Sequence, residues 1–471
     1  MCRISLLIVV IGACVFQSVI AAPPESNEEL LPAPLPAAAP TPQQPADDPA
    51  EPVPAAPATL PVDLKTALEW TLARNQDLIA IRQNLRVSQA ALAVAQRFPT
   101  SLNPTVSLDV RPWTFEKNTG QGARPLETQV SLSWAQPIEL GGRTGLRTEI
   151  ARASFTQTQW NILQAELTAL VQTYRFHQTA TYRREKLRVA QQLADFNRQL
   201  AKTVERQMQA NQVSPVDAAL AEVESQSTEQ QKEVTRQDYI VALTELRQQI
   251  GIGEYMGSLE PCGRLQLPEG ILARDEDNLI RTALESRPEV HTAQAQVTAS
   301  RAAVCLARAD RIPIPSAGPV YEKDESGTTF YGLVVSTPIP VLNAGRTLVS
   351  QREAEHCRDL VVLQQTQQRI TNQLKATLIR WRQAQQLVSR TQAMMEPIKA
   401  QANRVDRLYA AGQSDLVKLL QVRQRLIQAE NTQLDALWQA TQVYADLLTA
   451  LGTTPLVGST AETVEPPVGT R

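Results

Sequence analysis

Thr71-Leu72-Ala73-Arg74-Asn75-Gln76-Asp77-Leu78 and Ala283-Leu284-Glu285-Ser286-Arg287-Pro288-Glu289-Val290 align at an offset of 212 residues. At the same offset Ala90-Ala91 and Ala95 meet Ala302-Ala303 and Ala307. Further on, Gln136-Pro137-Ile138-Glu139-Leu140-Gly141-Gly142-Arg143 is echoed by Thr337-Pro338-Ile339-Pro340-Val341-Leu342-Asn343-Ala344-Gly345-Arg346, with two residues inserted. Ala210-Asn211-Gln212 returns as Ala411-Gly412-Gln413, and Ile250-Gly251 as Leu451-Gly452. Marks that recur in one order indicate a duplication, and a repeat governs the reading of everything between its marks. Each half reads helix, strand, strand, very long helix, sharp turn, helix, stop.

The long helices follow from what is missing. No proline or glycine lies between Leu146 and Gln209, so at 1.5 Å per residue this segment predicts a rod of roughly 95 Å. A second runs from Arg346 to Ala411, interrupted only by Pro397. Leu163, Leu167, Leu170, Tyr174 and His177 are spaced four, three, four, three; Leu420, Ile427, Leu434, Thr441 and Leu448 fall seven apart, as do Leu437, Tyr444 and Leu451. Sustained heptads predict a supercoiled seam. Gln, Arg and Glu on the other faces suit water, and rods of this length favour an elongated assembly over an ordinary bundle.

The strands alternate. Val106, Leu108 and Val110 oppose Ser107, Asp109 and Arg111; Val130, Leu132 and Trp134 oppose Gln129, Ser131 and Ser133. A barrel strand facing lipid on one side and water on the other needs this period, over about 9–11 residues. A half-buried soluble hairpin shows it too. Strands are expected at about 104–114 and 126–137, with Trp113, Phe115 and Trp134 as interfacial anchors at their ends. The second hairpin, about 319–325 and 328–338, is weaker: Pro319 to Lys323 is short and Phe330 to Ser336 is apolar on both faces. Four strands are too few to close a barrel in one chain, so a barrel shared between copies is expected.

The N-terminus reads as an export signal over 1–21: Arg3, an apolar run from Ile4 to Phe16, then Ala21 and Ala22. Ile11-Gly12-Ala13-Cys14 also resembles a bacterial lipobox, which makes Cys14 the alternative processing point, a lipidation site. Either reading carries the mature chain beyond the inner membrane. Residues 22–61 hold 13 prolines and predict a disordered spacer. The remaining expected boundaries are a first repeat at 62–255, a linker at 256–275, a second repeat at 276–452 and a disordered tail at 453–471.

Composition excludes several classes. The chain has 471 residues and a net charge of −2, from Lys+Arg 46 against Asp+Glu 48, which argues against a nucleic-acid partner. Aromatics at 4% fit long helices better than a large aromatic core. The five cysteines, at 2, 14, 262, 305 and 357, form no CxxC pair, so neither a zinc module nor a disulfide framework is indicated. His177, His291 and His356 stand alone, without metal-ligand spacing. With no Gly-rich phosphate loop, the reading is a non-enzyme with no cofactor and no metal site, its energy supplied by a partner.

Taken together, residues 60–452 resemble the TolC family of outer-membrane efflux proteins. The resemblance rests on the duplicated order, on Gln136 to Arg143 after a strand, and on Leu408-Tyr409-Ala410-Ala411-Gly412-Gln413-Ser414-Asp415-Leu416 between the last two helices. It implies a mainly α fold with a β-barrel part: a homotrimer whose 12-stranded barrel sits in outer-membrane lipid on a long α-helical periplasmic barrel. It also implies docking on a periplasmic adaptor (membrane fusion) protein and a resistance–nodulation–division inner-membrane pump. The Glu139 to Arg143 form is similar to the branch that serves cobalt–zinc–cadmium pumps, so heavy-metal cations are candidate substrates for a passive exit channel. The alternative class is a non-conducting structural or adhesive coiled-coil protein of the periplasm.

In this frame the two helical turns are the functional ends. Gln207 to Asp217 and Tyr409 to Leu416 are expected at the periplasmic tip. Gly412 suits the positive φ of a helix stop, and Ser214 and Ser414 are candidate caps for the returning helices. Asn211, Ser214, Asp217, Gly412, Ser414 and Asp415 are the candidate docking and mouth residues. Asp217 and Asp415 would form a ring of negative charge in a trimer. The plain reading is that these residues only make the turns.

Overall fold

The computed structural model describes residues 60–111, 128–253, 259–267, 275–324 and 326–455. The expected export signal, Cys14, most of the Pro-rich spacer, Trp113, Phe115 and the tail from 456 lie outside the described residues.

The first half holds β1 (Leu60–Val62), α1 (Leu64–Arg74), α2 (Gln76–Gln96), β2 (Thr105–Arg111), β3 (Gln129–Pro137), α3 (Arg143–Gln209) and α4 (Pro215–Ile250). The second repeats it with β4 (Leu259–Pro261), α5 (Glu276–Ser286), α6 (Pro288–Ala309), β5 (Ser316–Lys323), β6 (Thr329–Ser336), α7 (Arg346–Ala410) and α8 (Leu416–Leu451). Local chemistry starts the equivalent helices α2 and α6 by different means. Asn75 caps α2 through its side chain, accepting from Leu78 N at 3.1 Å, and Pro288 opens α6 at the helix position where a missing N–H costs nothing. The two rods, α3 and α7, contain 67 and 65 residues. Pro397 lies inside α7 without ending it.

The heptads mark the buried side of the rods. Leu167, Leu170, Tyr174 and His177 of α3 are buried. The first and third of these join Ile370, Leu374, Leu378 and Trp381 of α7 and Ala440, Leu447 and Leu448 of α8 in one core. Near the turn the pattern is displaced by one residue. The buried line of α8 runs Leu416, Leu419, Val422 and Leu426, which leaves Leu420, Ile427 and Leu434 half-buried. A second core there joins Leu200 and Val204 to Met395, Val405 and this line.

The strands form one antiparallel sheet in the order β2-β3-β5-β6. Its register pairs Val106 with Trp134, Leu108 with Leu132 and Val110 with Val130, then Leu132 with Tyr321 and Tyr321 with Tyr331. The face of Val106, Leu108, Leu132, Trp134, Tyr321 and Tyr331 is therefore largely apolar, with Lys323 beside Val130 at one end. The other carries Ser107, Asp109, Arg111, Gln129, Ser131, Ser133 and Glu322, and toward β6 also Val320, Phe330 and Val334. Both edge strands, β2 and β6, are exposed along their whole length. Trp134 sits inside β3 and not at its end.

The third strand is longer than the sequence pattern suggests, because β5 begins at Ser316. Its opening residues, Ser316 to Pro319, have poor strand propensity, so the pattern hides them. Gly318 is there for space: a Cβ at this position would lie 1.7 Å from the Trp134 carbonyl oxygen.

Candidate channel mouth at the helical tips

Each long helix ends in the same turn. After α3, Asn211 adopts φ +53°, and the Gln212 amide donates back to the Gln207 carbonyl at 2.8 Å. After α7, Gly412 adopts φ +71°, and the Gln413 amide donates to the Leu408 carbonyl at 2.8 Å. Both are left-handed stops closed by a six-to-one hydrogen bond, which satisfies carbonyls the helix leaves open.

The returning helices differ in their caps. Ser214 is the N-cap of α4, and its side chain accepts from Val216 N at 3.2 Å. Ser414 does not do this for α8. The two turns have equal length, so the residue at the equivalent position is Asp415, which is the N-cap and makes no side-chain cap hydrogen bond. Ser414 Oγ is instead buried with no hydrogen-bond partner among the described residues. The same register means that Asp217, in the first turn of α4, and Asp415 are not repeat-equivalent positions.

The fold nevertheless brings the two tips together. A groove of about 850 Å³ is lined by Ser214, Asp217, Gly412, Ser414 and Asp415 along with Tyr409. Asn211 is exposed and does not line it. Tyr409 holds its phenolic proton more tightly than usual, first through burial and then through the charges of Asp217 and Asp415. Deeper in the groove Arg423 bonds to Asp406, with Nε 3.2 Å from Oδ1, and its guanidinium lies 4.5 Å from the centre of the Phe196 ring. Tyr409, Asp406, Arg423 and Phe196 are not among the residues that the sequence singles out as site residues. An arginine so far along the chain from its aspartate carries no signal until two helices fold back on each other.

At the other end of the rods the turn from strand to helix is fastened across the repeat. Arg143 is 4% exposed; its Nη2 donates to the Ala309 carbonyl at 2.9 Å and also to that of Ile312, and Nε lies 3.2 Å from Asp310 Oδ1. Glu139 accepts from Thr144 at 2.6 Å and from both Nη atoms of Arg147 at 2.6 and 2.9 Å. Chiefly the Arg147 hydrogen bond holds its carboxyl below the usual range.

The histidines do local work. His177 is buried with Nε2 3.3 Å from the Val62 carbonyl, and burial lowers its proton affinity. His291 stacks on Trp160 with ring centres 4.2 Å apart. His356 lies 3.0 Å from Ser300 Oγ. Among the described residues no three His, Cys, Asp or Glu side chains group as metal ligands, and no helix is long and apolar enough to cross a membrane.

A sheet with one largely apolar face, two open edges, and rods that run from it to paired tips suits the protomer of an outer-membrane channel. Residues 67–252 and 279–453 match the family of outer membrane efflux proteins, and the chain belongs to that family. The cobalt-zinc-cadmium resistance protein CzcC of Cupriavidus metallidurans is 23% identical over 307 residues, covering 64% of this chain and 68% of that protein. Among solved structures, CusC superposes with a TM-score of 0.67 at 17% identity, over 86% of this chain and 99% of its own. The CmeC outer-membrane channel of Campylobacter jejuni gives 0.66 at 16% identity, over 83% and 85%. The protein is thus an outer-membrane efflux channel with a periplasmic helical tunnel.

Proposed function

We propose that three copies of this chain close a 12-stranded barrel and act as the passive exit of a tripartite pump. The periplasmic adaptor would dock at the tips, and a resistance–nodulation–division pump of the inner membrane would supply the energy. The observation that carries the reading is the sheet: β2 and β6 are unpaired edges, and Val106, Leu108, Leu132, Trp134, Tyr331 and Leu333 present a continuous apolar face. A four-stranded sheet with open edges and an apolar face is unstable as an isolated surface in water. Closure with other copies in lipid removes both problems.

Heavy-metal cations are the proposed cargo, supported by the likeness to CzcC and by the Glu139 to Arg143 turn. Cation passage suits a mouth that carries Asp217 and Asp415. The leader is read as an export signal, with processing either after Ala21 or at a lipidated Cys14.

Detergent-extracted protein should give the mass of three copies by native mass spectrometry and conduct in planar bilayers. Deleting the gene should lower resistance to zinc, cobalt and cadmium. A water-soluble monomer without conductance would overturn the channel trimer, and unchanged metal resistance would overturn the cargo. Cys14→Ala should abolish acyl labelling if Cys14 is the anchor, whereas a mature N-terminus at Ala22 assigns cleavage there.

A further inference from the structure

Two apolar cores follow one another along the α7–α8 hairpin, and a gap separates them. The core nearer the sheet reaches Val388 of α7 and Ala436 of α8. The core nearer the tips begins at Met395 and Leu426, and it joins residues of all four helices, among them Val204 of α3, Ala221 of α4, Val405 of α7 and Leu419 of α8. Between Leu426 and Ala436 no residue of α8 is buried, and between Met395 and Ala402 none of α7 is.

Both hairpins are weakened at this level. Asn197 lies 14 residues before Asn211, Thr228 lies 14 after Ser214, and Pro397 lies 15 before Gly412. At 1.5 Å per residue all three stand about 21 Å from the tips. In the α3–α4 hairpin the packing there is polar. Asn197 is 2% exposed; its Nδ2 donates to Thr228 Oγ1 over 3.4 Å, and its Oδ1 is buried with no hydrogen-bond partner among the described residues. The Thr228 hydroxyl gives its own proton to the Glu224 carbonyl at 2.9 Å. In the α7–α8 hairpin the weak point is in the backbone. Pro397 has no N–H, so the carbonyl of Ala393 loses its intrahelical bond, and this turn of α7 bends more easily than its neighbours.

We propose that the mouth widens by a bend at the level of Asn197, Thr228 and Pro397, with the four helix ends beyond it moving as one body in each copy. This rests on the channel reading and specifies how the channel opens. A parting of α7–α8 from α3–α4 is the other way to open, and the contacts oppose it. The core at the tips spans both hairpins, so parting them would expose Leu200 and Val204 on one side and Leu419 and Val422 on the other to water. Two polar ties also cross between the hairpins: the Arg423 guanidinium lies 4.5 Å from the centre of the Phe196 ring, and Gln424 Nε2 donates to Glu224 Oε1 at 3.4 Å. A bend opens a level that holds little apolar contact. It also lets water reach Asn197 Oδ1, which is unfavourable to keep dry and unmatched. Met395, at the border of the moving body, has an unbranched side chain that repacks readily.

The test has two arms. The first stiffens the level: Pro397→Ala restores the amide, and Asn197→Leu with Thr228→Val replaces the polar pair by apolar contact. The triple variant should extract as a trimer by native mass spectrometry, slow hydrogen exchange across residues 393–401 by roughly tenfold, and spend far less time in its high-conductance state in planar bilayers. If it does not assemble, Pro397→Ala alone is read by the same exchange and conductance measurements. The second arm ties the hairpins together at the tips: Glu224→Cys with Gln424→Cys, with Cys262, Cys305 and Cys357 replaced by Ser, is bridged by a short bismaleimide. The bridged channel should open as the unbridged one does. Bridging that holds the channel shut overturns the bend, and so does a stiffened trimer with unchanged exchange or unchanged conductance. Unmodified protein that is monomeric or does not conduct overturns the channel reading itself.

Discussion

The guanidinium of Arg143 donates 2.9 Å to the carbonyl of Ala309, so the first residue of one long helix is bound to the last residue of a helix in the other half. The link fixes the sheet on its rods, because β3 feeds the turn ahead of Arg143 and β5 follows the end of α6. Replacing Arg143 by Met keeps much of the length of the side chain and loses the charged hydrogen bonds. A stability loss of about 2–3 kcal/mol is expected, read as a lower thermal midpoint in detergent. An unchanged midpoint would show that the bond contributes nothing.

Gly318→Ala should disrupt the sheet. The added Cβ would sit inside the contact radius of the Trp134 carbonyl, and backbone on both sides of the β3–β5 pair would have to move. The variant should reach the envelope but give little heat-modifiable, membrane-inserted protein on gels. Normal insertion would mean that the strands tolerate a local bulge there.

The carboxylates at the mouth should set ion preference. Asp217→Asn and Asp415→Asn remove charge without changing shape. A negative mouth concentrates cations, so the double variant should show lower conductance and weaker cation preference in planar bilayers. If reversal potentials in a salt gradient stay the same, the charges lie outside the conduction path.

Gly412→Val tests the second turn alone. At φ +71° a β-branched residue costs about 1–2 kcal/mol. The barrel lies at the far end of the rods, so insertion should persist while pump-dependent resistance falls. Full resistance in this variant would reduce the turn to a connector.

His177 predicts a pH effect. Burial lowers its folded pKa below the ordinary 6.5, so above that value both folded and unfolded chains hold it neutral. As pH falls through 6.5 the unfolded chain gains a proton that the folded one refuses, and stability declines until the folded pKa is passed. Thermal midpoints measured from about pH 7.5 to about pH 5 should fall less steeply in His177→Gln than in the unmodified protein. Parallel curves would assign the acid loss to other groups.

Much of the architecture is local and periodic, and so was legible in the residues. The repeat marks, the run without breakers from Leu146 to Gln209, and the alternation through Val106 to Val110 each act over distances along the chain that a reader can count. The left-handed stop at Gly412 belongs here too, since only its own backbone is involved. Fold class, duplication and the placing of the two turns follow from such signals.

Tertiary structure decided what depends on two segments meeting. Asp415, and not Ser414, stands at the N-cap position of α8, because equal turn lengths set the register between hairpins. Tyr409 feels both Asp217 and Asp415 only after α7 and α8 fold beside α3 and α4. β5 extends back to Ser316 because a neighbouring strand, not strand propensity, holds Gly318 in place. Arg143 and Arg346 are the same residue in the same motif, yet one is buried and the other exposed. Sequence states what each can bind; only the packing of α6 against α3 decides which has found its partner within the chain.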